Sequence, residues 1–139
     1  SSLPPEAIEL ASRIFNYART GSPLLAQYLS AGIPPNMTNS AGDTLLMLAA
    51  YHGQIESVRC VLTHGADINL VNGRGQTPLA GAVFKDYHGV VTILVEAGAD
   101  SKAGRPNAME TAGMFGRREC ARIMGLDWDE CVRSVPEGI

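Results

Sequence analysis

Apolar positions in this chain fall into short helical stripes that come in pairs, most of them closing on a glycine. Behind Pro4, Pro5 and Glu6, the residues Ile8, Ala11, Phe15 and Ala18 recur at three- and four-residue steps, which predicts a helix ending near Gly21. A second helix follows, capped by Ser22 with Pro23 at its first position, and carries Leu24, Leu25, Tyr28 and Leu29 to a turn at Gly32. Ser2 to Gly32 therefore reads as a helical hairpin. Thr44 opens the next helix, whose Leu45, Leu46, Leu48, Ala49 and Ala50 form a small-and-apolar surface ending at His52 and Gly53. Ile55, Val58, Val61 and Leu62 make the stripe of its partner, which stops at Gly65, where glycine readily takes the left-handed terminal conformation. Helices this short are marginal alone and must be held by packing.

The punctuation of 40–72 returns at a fixed step. Gly42 recurs as Gly75, Thr44 as Thr77, Gly65 as Gly98, Ala66 as Ala99 and Asp67 as Asp100, each thirty-three residues later. That period belongs to stacked helical repeats, in which no unit buries its apolar face without its neighbours. The second stripe becomes His88, Val91, Leu94 and Val95. Asp86 replaces Gly53 and is one of the few residues that tolerates left-handed geometry, while Gly81 replaces Leu48 and allows close helix contact. Between the pairs, Asn72-Gly73 is expected to supply the positive φ angles of a tight hairpin turn flanked by short extended arms.

The ends depart from the period in ways that suit end caps. Gly32, Ile33 and Asn36 stand one step before Gly65, Ala66 and Asn69, so the first hairpin reads as a degenerate repeat lacking the Thr-bearing turn. Ala112, Gly113, Gly116 and Glu119 follow Ala49, Ala50, Gly53 and Glu56 by sixty-three residues, three short of two periods, with the loss around Ser101 to Asn107. Arg117 to Met124 is the closing helix, with Cys120, Ala121 and Met124 facing in and Arg117, Arg118 and Arg122 facing out. Beyond Gly125 the tail is expected to cover the stack through Leu126 and Trp128, its last residues loose. The resulting division is a single domain: a cap over 1–39, full repeats over 40–72 and 73–105, a truncated repeat over 106–125, and a tail over 126–139.

A chain of 139 residues is long enough for one compact domain. The formal net charge of -3 provides no broad cationic field, so neither nucleic acid nor a membrane surface is the expected partner. Cys60, Cys120 and Cys131 include no CxxC pair and read as free, buried thiols. No apolar run reaches the roughly 18 residues of a membrane span, and SSLPPEAIEL is not a signal peptide, so a cytoplasmic home is expected. The chain begins at Ser1 without a Met, which leaves a removed leader open.

GDTLLMLAAYHG with HGADIN, and GQTPLAGAVFKD with AGADSK, resemble the ankyrin repeat, whose pattern runs G-x-T-P-L-H-x-A-A-x-x-G, an aliphatic helix, then G-A-D-x-N. The resemblance covers about Ser22 to Met124, and more narrowly the segments look like small single-domain ankyrin proteins of bacteria and fungi. It implies an all-α solenoid of stacked helix-turn-helix units with projecting β-hairpin loops. Met47 and Ala80 replace the family's histidine, which removes a partner of Thr44 and Thr77 and is expected to make the helix starts depend more on apolar packing. Leu45 replaces the proline kept at Pro78.

Catalytic signals are missing. His52, His64 and His88 each fall at a helix end fixed by the repeat, no GxSxG, HExxH or phosphate-loop motif occurs, and Cys120 and Cys131 have no metal-like spacing with a histidine. No enzyme activity, cofactor or metal site is expected. Asp67 and Asp100, one repeat apart and so about 10 Å from one another, read as caps of the hairpin arms. Arg105, Arg117, Arg118 and Arg122 could meet an acidic partner, but Glu110 and Glu119 beside them favour a solvated face. By the resemblance, an unidentified protein partner would be met by hairpin tips and the concave first-helix surface: Asn39, Ser40, Ala41, Asp43, Tyr51 and His52, then Asn72, Gly73, Arg74, Gln76, Phe84 and Lys85, then Met114 and Phe115. Tyr51, Phe84 and Phe115 would present a row of rings, unless those rings serve only packing between repeats. A monomer is expected; the alternative function is a self-assembling module that dimerises through its C-terminal face.

Overall fold

The computed structural model describes residues 3–138. Ser1, Ser2 and Ile139 lie outside them, and so does the expected start of the first hairpin at Ser2. The described residues form α1 (Pro5–Thr20), α2 (Leu24–Ser30), α3 (Leu45–Tyr51), α4 (Ile55–Thr63), α5 (Pro78–Lys85), α6 (His88–Glu96), α7 (Ala108–Phe115), α8 (Arg118–Ile123) and α9 (Trp128–Ser134). α1, α3, α5, α7 and α9 pack one on the next in a first layer, and α2, α4, α6 and α8 do so in a second. Leu25, Leu45, Leu46, Val58, Val61, Leu79, Val83, Val90, Val91 and Leu94 fill the space between and are almost wholly out of solvent. None of the described helices is long and apolar enough to cross a membrane.

The helix starts do not rest on apolar packing alone. Thr44 Oγ1 accepts from the Met47 N–H at 3.0 Å and Thr77 Oγ1 from the Ala80 N–H at 3.1 Å, both in buried surroundings. At α7, Asn107 and Glu110 cap one another reciprocally, each side chain accepting from the other's backbone N–H. Each of these caps gives a partner to an N–H group in the first turn that the helix itself leaves unsatisfied. Asp86 ends α5 in the left-handed conformation at φ 62°, as its place opposite Gly53 requires.

The loops correct the hairpin expectation. No strand forms among the described residues; the extended arms reduce to one bridge between Thr38 and Thr44. The left-handed residue is Gly75, at φ 77°, and neither Asn72 nor Gly73. The reason is the Asn72 side chain: its Oδ1 accepts from the N–H groups of Arg74 and Gln76, so the turn closes over 72–76 and reverses at Gly75. A second ladder joins the repeats, because Asn36 accepts from the Asp67 N–H at 2.8 Å and Asn69 from the Asp100 N–H at 3.0 Å. Asp67 and Asp100 cap their own arms, accepting from Asn69 and Lys102.

Three further expectations change. Ile55 and His88 belong to the exposed first turns of α4 and α6, and Val90 joins the core instead. Ile55 lies against Gly89 of the neighbouring repeat, where an added Cβ would stand 3.0 Å from its Cδ1. Arg117 does not face out; it is half-buried and donates to the Phe84 carbonyl at 2.7 Å, as Gln54 donates to the Arg19 carbonyl at 2.9 Å two repeats earlier. The tail covers the stack as a helix, α9, whose Cys131 is fully buried and which takes the place of the first helix of a further unit. Leu126 and Trp128 pack against the same core.

Candidate functional site

The first-layer helices α3, α5 and α7 lie side by side and hold a concave groove of about 520 Å³. In its lining α5 carries Gly81 where α3 carries Leu48. A Cβ at Gly81 would stand 3.2 Å from Met47 Cε and 3.4 Å from Tyr51 Cδ1, so these side chains close over the place an ordinary residue would fill. Along the groove run the rings. Tyr51 and Phe84 are near parallel, 8° between planes with centroids 6.4 Å apart, and Phe115 meets Phe84 edge-on at 4.9 Å. Phe115 turns because it is not the register equivalent of Phe84; with the three-residue deletion counted, that place belongs to Met114. Phe84 and Phe115 are 38% and 47% exposed although they touch each other.

Nine of the anticipated contact residues line this groove: Asp43, Tyr51, His52, Asn72, Arg74, Gln76, Phe84, Met114 and Phe115. Asn39, Ser40, Ala41, Gly73 and Lys85 do not line it. Asn72 faces the groove but is buried, and its amide is fully committed: besides the two bonds it accepts, Nδ2 donates to Asp43 at 2.8 Å and to Gln76 at 3.0 Å. Asn39 repeats the pattern, accepting from Ala41 and Asp43, and the Gly73 N–H donates to the Ala41 carbonyl at 2.9 Å. These amides set the tips in fixed places along the rim. Arg19, Met47, Leu48, Ala80, Gly81, Pro106 and Thr111 complete the lining. Arg19 stands one period before His52, a signal present in the sequence, and Met47 and Ala80 are one period apart.

The groove is cationic on an acidic chain. Arg19 and Arg74 line it, Lys85 Nζ sits 5.0 Å over the Tyr51 ring, and Arg117 stands 6.0 Å from the Phe115 ring. Asp43 is the one carboxylate in the lining and is bonded to Asn72. His52 is held below the ordinary imidazole range by burial and then by the charges of Arg19 and Lys85, which keeps it neutral near pH 7. The C-terminal arginines do not act together: Arg117 clamps α5, Arg118 lies 4.6 Å over the Trp128 ring, and Arg122 pairs with Glu119. His64 Nδ1 lies 2.8 Å from the Cys60 carbonyl at the end of α4, a helix-end role.

A family profile described as ankyrin repeats in three copies matches residues 14–105. A Pseudomonas aeruginosa protein named as an ankyrin repeat protein is 48% identical over 58 residues, covering 41% of this chain and 34% of its own length. A potassium channel of Arabidopsis thaliana is 31% identical over 100 residues, 71% of this chain and 12% of the channel. The neurogenic locus notch homolog protein 1 of Xenopus tropicalis is 38% identical over 60 residues, 43% of this chain and 2% of that protein. The chain thus spans about a third or less of each of these relatives.

Proposed function

The chain belongs to the ankyrin-repeat family, and we propose that it is a non-catalytic binding module whose groove takes a partner-protein segment carrying an apolar anchor flanked by acidic side chains. Ankyrin repeats are in general protein–protein interaction modules. The observation that carries the finer reading is the row Tyr51, Phe84, Phe115: rings aligned along the groove, of which Phe84 and Phe115 leave 38% and 47% of their surface to solvent although they touch. Aromatic and arginine side chains concentrate binding energy when a partner desolvates them. Arg19, Arg74 and Lys85 around the groove favour acidic neighbours of the anchor. The free thiols at Cys60, Cys120 and Cys131 fit a reducing compartment. Self-assembly through the C-terminal face is the weaker reading, since α9 already lies over that end.

The triple change Tyr51→Ala, Phe84→Ala, Phe115→Ala tests it, with a library of acidic peptides bearing one aromatic residue as the probe. The wild type should select members of the library, and the variant should lose them while its far-ultraviolet circular dichroism stays the same. Equal selection by the variant would refute the groove as the site. A loss of helix would mean that the rings belong to the core.

A further inference from the structure

At the C-terminal end of α5, three donor atoms of different chemistry converge. Asp86 ends α5, His88 opens α6 and Cys120 lies on α8 of the next repeat. Asp86 Oδ1 is 2.9 Å from His88 Nε2 and 3.5 Å from Cys120 Sγ, and one ligand atom from each of the three residues lies within 4.8 Å of the other two. A tetrahedral zinc ion with bonds of about 2.0–2.3 Å to oxygen, nitrogen and sulfur sets its donors about 3.3–3.6 Å apart. The Asp86–Cys120 separation matches those edges and the Asp86–His88 one is shorter, so a small rotation of the exposed imidazole would admit an ion. We infer that Asp86, His88 and Cys120 form a binding site for a borderline-soft divalent cation of the zinc class, which ties the second full repeat to the truncated one.

The donor set argues for that class of ion. Sulfur and imidazole nitrogen disfavour magnesium and calcium, which prefer oxygen donors, whereas zinc, cobalt and cadmium accept all three types. Asp86 and His88 are exposed, so a fourth position opens to water. Neighbouring charges are Arg117, which acts on Asp86, and Glu119, which is engaged by Arg122. Cysteine binds such a cation as the thiolate and gives up its proton, so affinity should fall as pH falls. The left-handed backbone at Asp86 holds its carboxylate beside His88 at the mouth of the site.

Reduced, chelator-treated protein should be titrated with Co²⁺ and then Zn²⁺. One Co²⁺ per chain should bind with a near-ultraviolet thiolate-to-cobalt charge-transfer band, and Zn²⁺ should abolish the band and raise the thermal midpoint. His88→Gln alters an exposed side chain, and Asp86→Asn keeps a residue that tolerates the left-handed turn; each should weaken binding by at least about tenfold. Cys120→Ser should remove the band. Cys60→Ser and His64→Gln, altering the other neighbouring cysteine and histidine, should change nothing. Absence of the band in the wild type, undiminished affinity in His88→Gln, or loss of the band in Cys60→Ser would each overturn the site.

Discussion

Replacing Gly113 by alanine adds one methyl group where α7 meets α9. Built on the existing backbone, its Cβ would stand 2.3 Å from the Cys131 carbonyl oxygen, 2.8 Å from that carbonyl carbon and 2.9 Å from Val135 Cγ2. An ordinary carbon–oxygen contact needs about 3.3 Å, so α9 must retreat by about 1 Å. A gap of that size forfeits a quarter to a half of each contact across it. Overpacking typically costs about 1–3 kcal/mol, and here the upper end applies because the nearest atoms are backbone and cannot rotate away. Alanine returns about 1 kcal/mol of helix propensity, so the net loss is about 2 kcal/mol. Gly81→Ala has the same propensity gain but meets the flexible end of Met47 at 3.2 Å, and should be neutral or stabilising. Urea unfolding measures both, and Trp128, the one tryptophan in the chain, reports α9 by its emission. A Gly113→Ala protein as stable as the wild type, with unshifted Trp128 emission, would refute the close seating of α9.

Asn72→Ala should destabilise by about 1–3 kcal/mol, because it strips partners from the N–H groups of Arg74 and Gln76 and from the Asp43 carboxylate; urea midpoints and faster amide exchange at 74 and 76 check this. His52 titrates below its ordinary range in the folded state, so the unfolded chain takes up its proton first. Its contribution to stability is complete above the unfolded value of about 6.5 and is lost as pH falls through the folded one. His52→Gln should therefore flatten the pH dependence of the unfolding midpoint below about pH 6.5, and an unchanged slope would assign that dependence to other groups.

Glycine and threonine spacing revealed the repeats because each marks a backbone demand that recurs with every unit: a reversal at Gly42 and Gly75, a helix start at Thr44 and Thr77. α9 was legible too, since Trp128, Cys131 and Val135 stand on one helical face, with Asp129 and Glu130 in the first turn and Arg133 in the last. It stayed hidden because it has no counterpart one period earlier. The turn at Asn72 was misplaced for a different reason. Asn-Gly favours a two-residue reversal in isolation, but the Asn72 amide makes four hydrogen bonds to three residues, one of them Asp43 of the preceding repeat, which no local rule contains. The convergence of Asp86 and His88 on Cys120 is likewise a product of stacking, since the cysteine lies a repeat away.

Equivalent positions of the first-layer helices explain how one solenoid makes both a groove and a closed end. Leu48, Gly81 and Thr111 occupy the same place in α3, α5 and α7, and all three line the groove. The middle side chain is missing, and Met47 and Tyr51 close over its place. Ala50, Val83 and Gly113 occupy a second shared place, buried at the first two. There the missing side chain is the last, and the carbonyl of Cys131 comes where a Cβ would be. Removing a side chain therefore has different results according to what lies across from it. Beneath Met47 and Tyr51 it lets those side chains close down on α5; facing a further helix, it lets that helix approach and seal the stack.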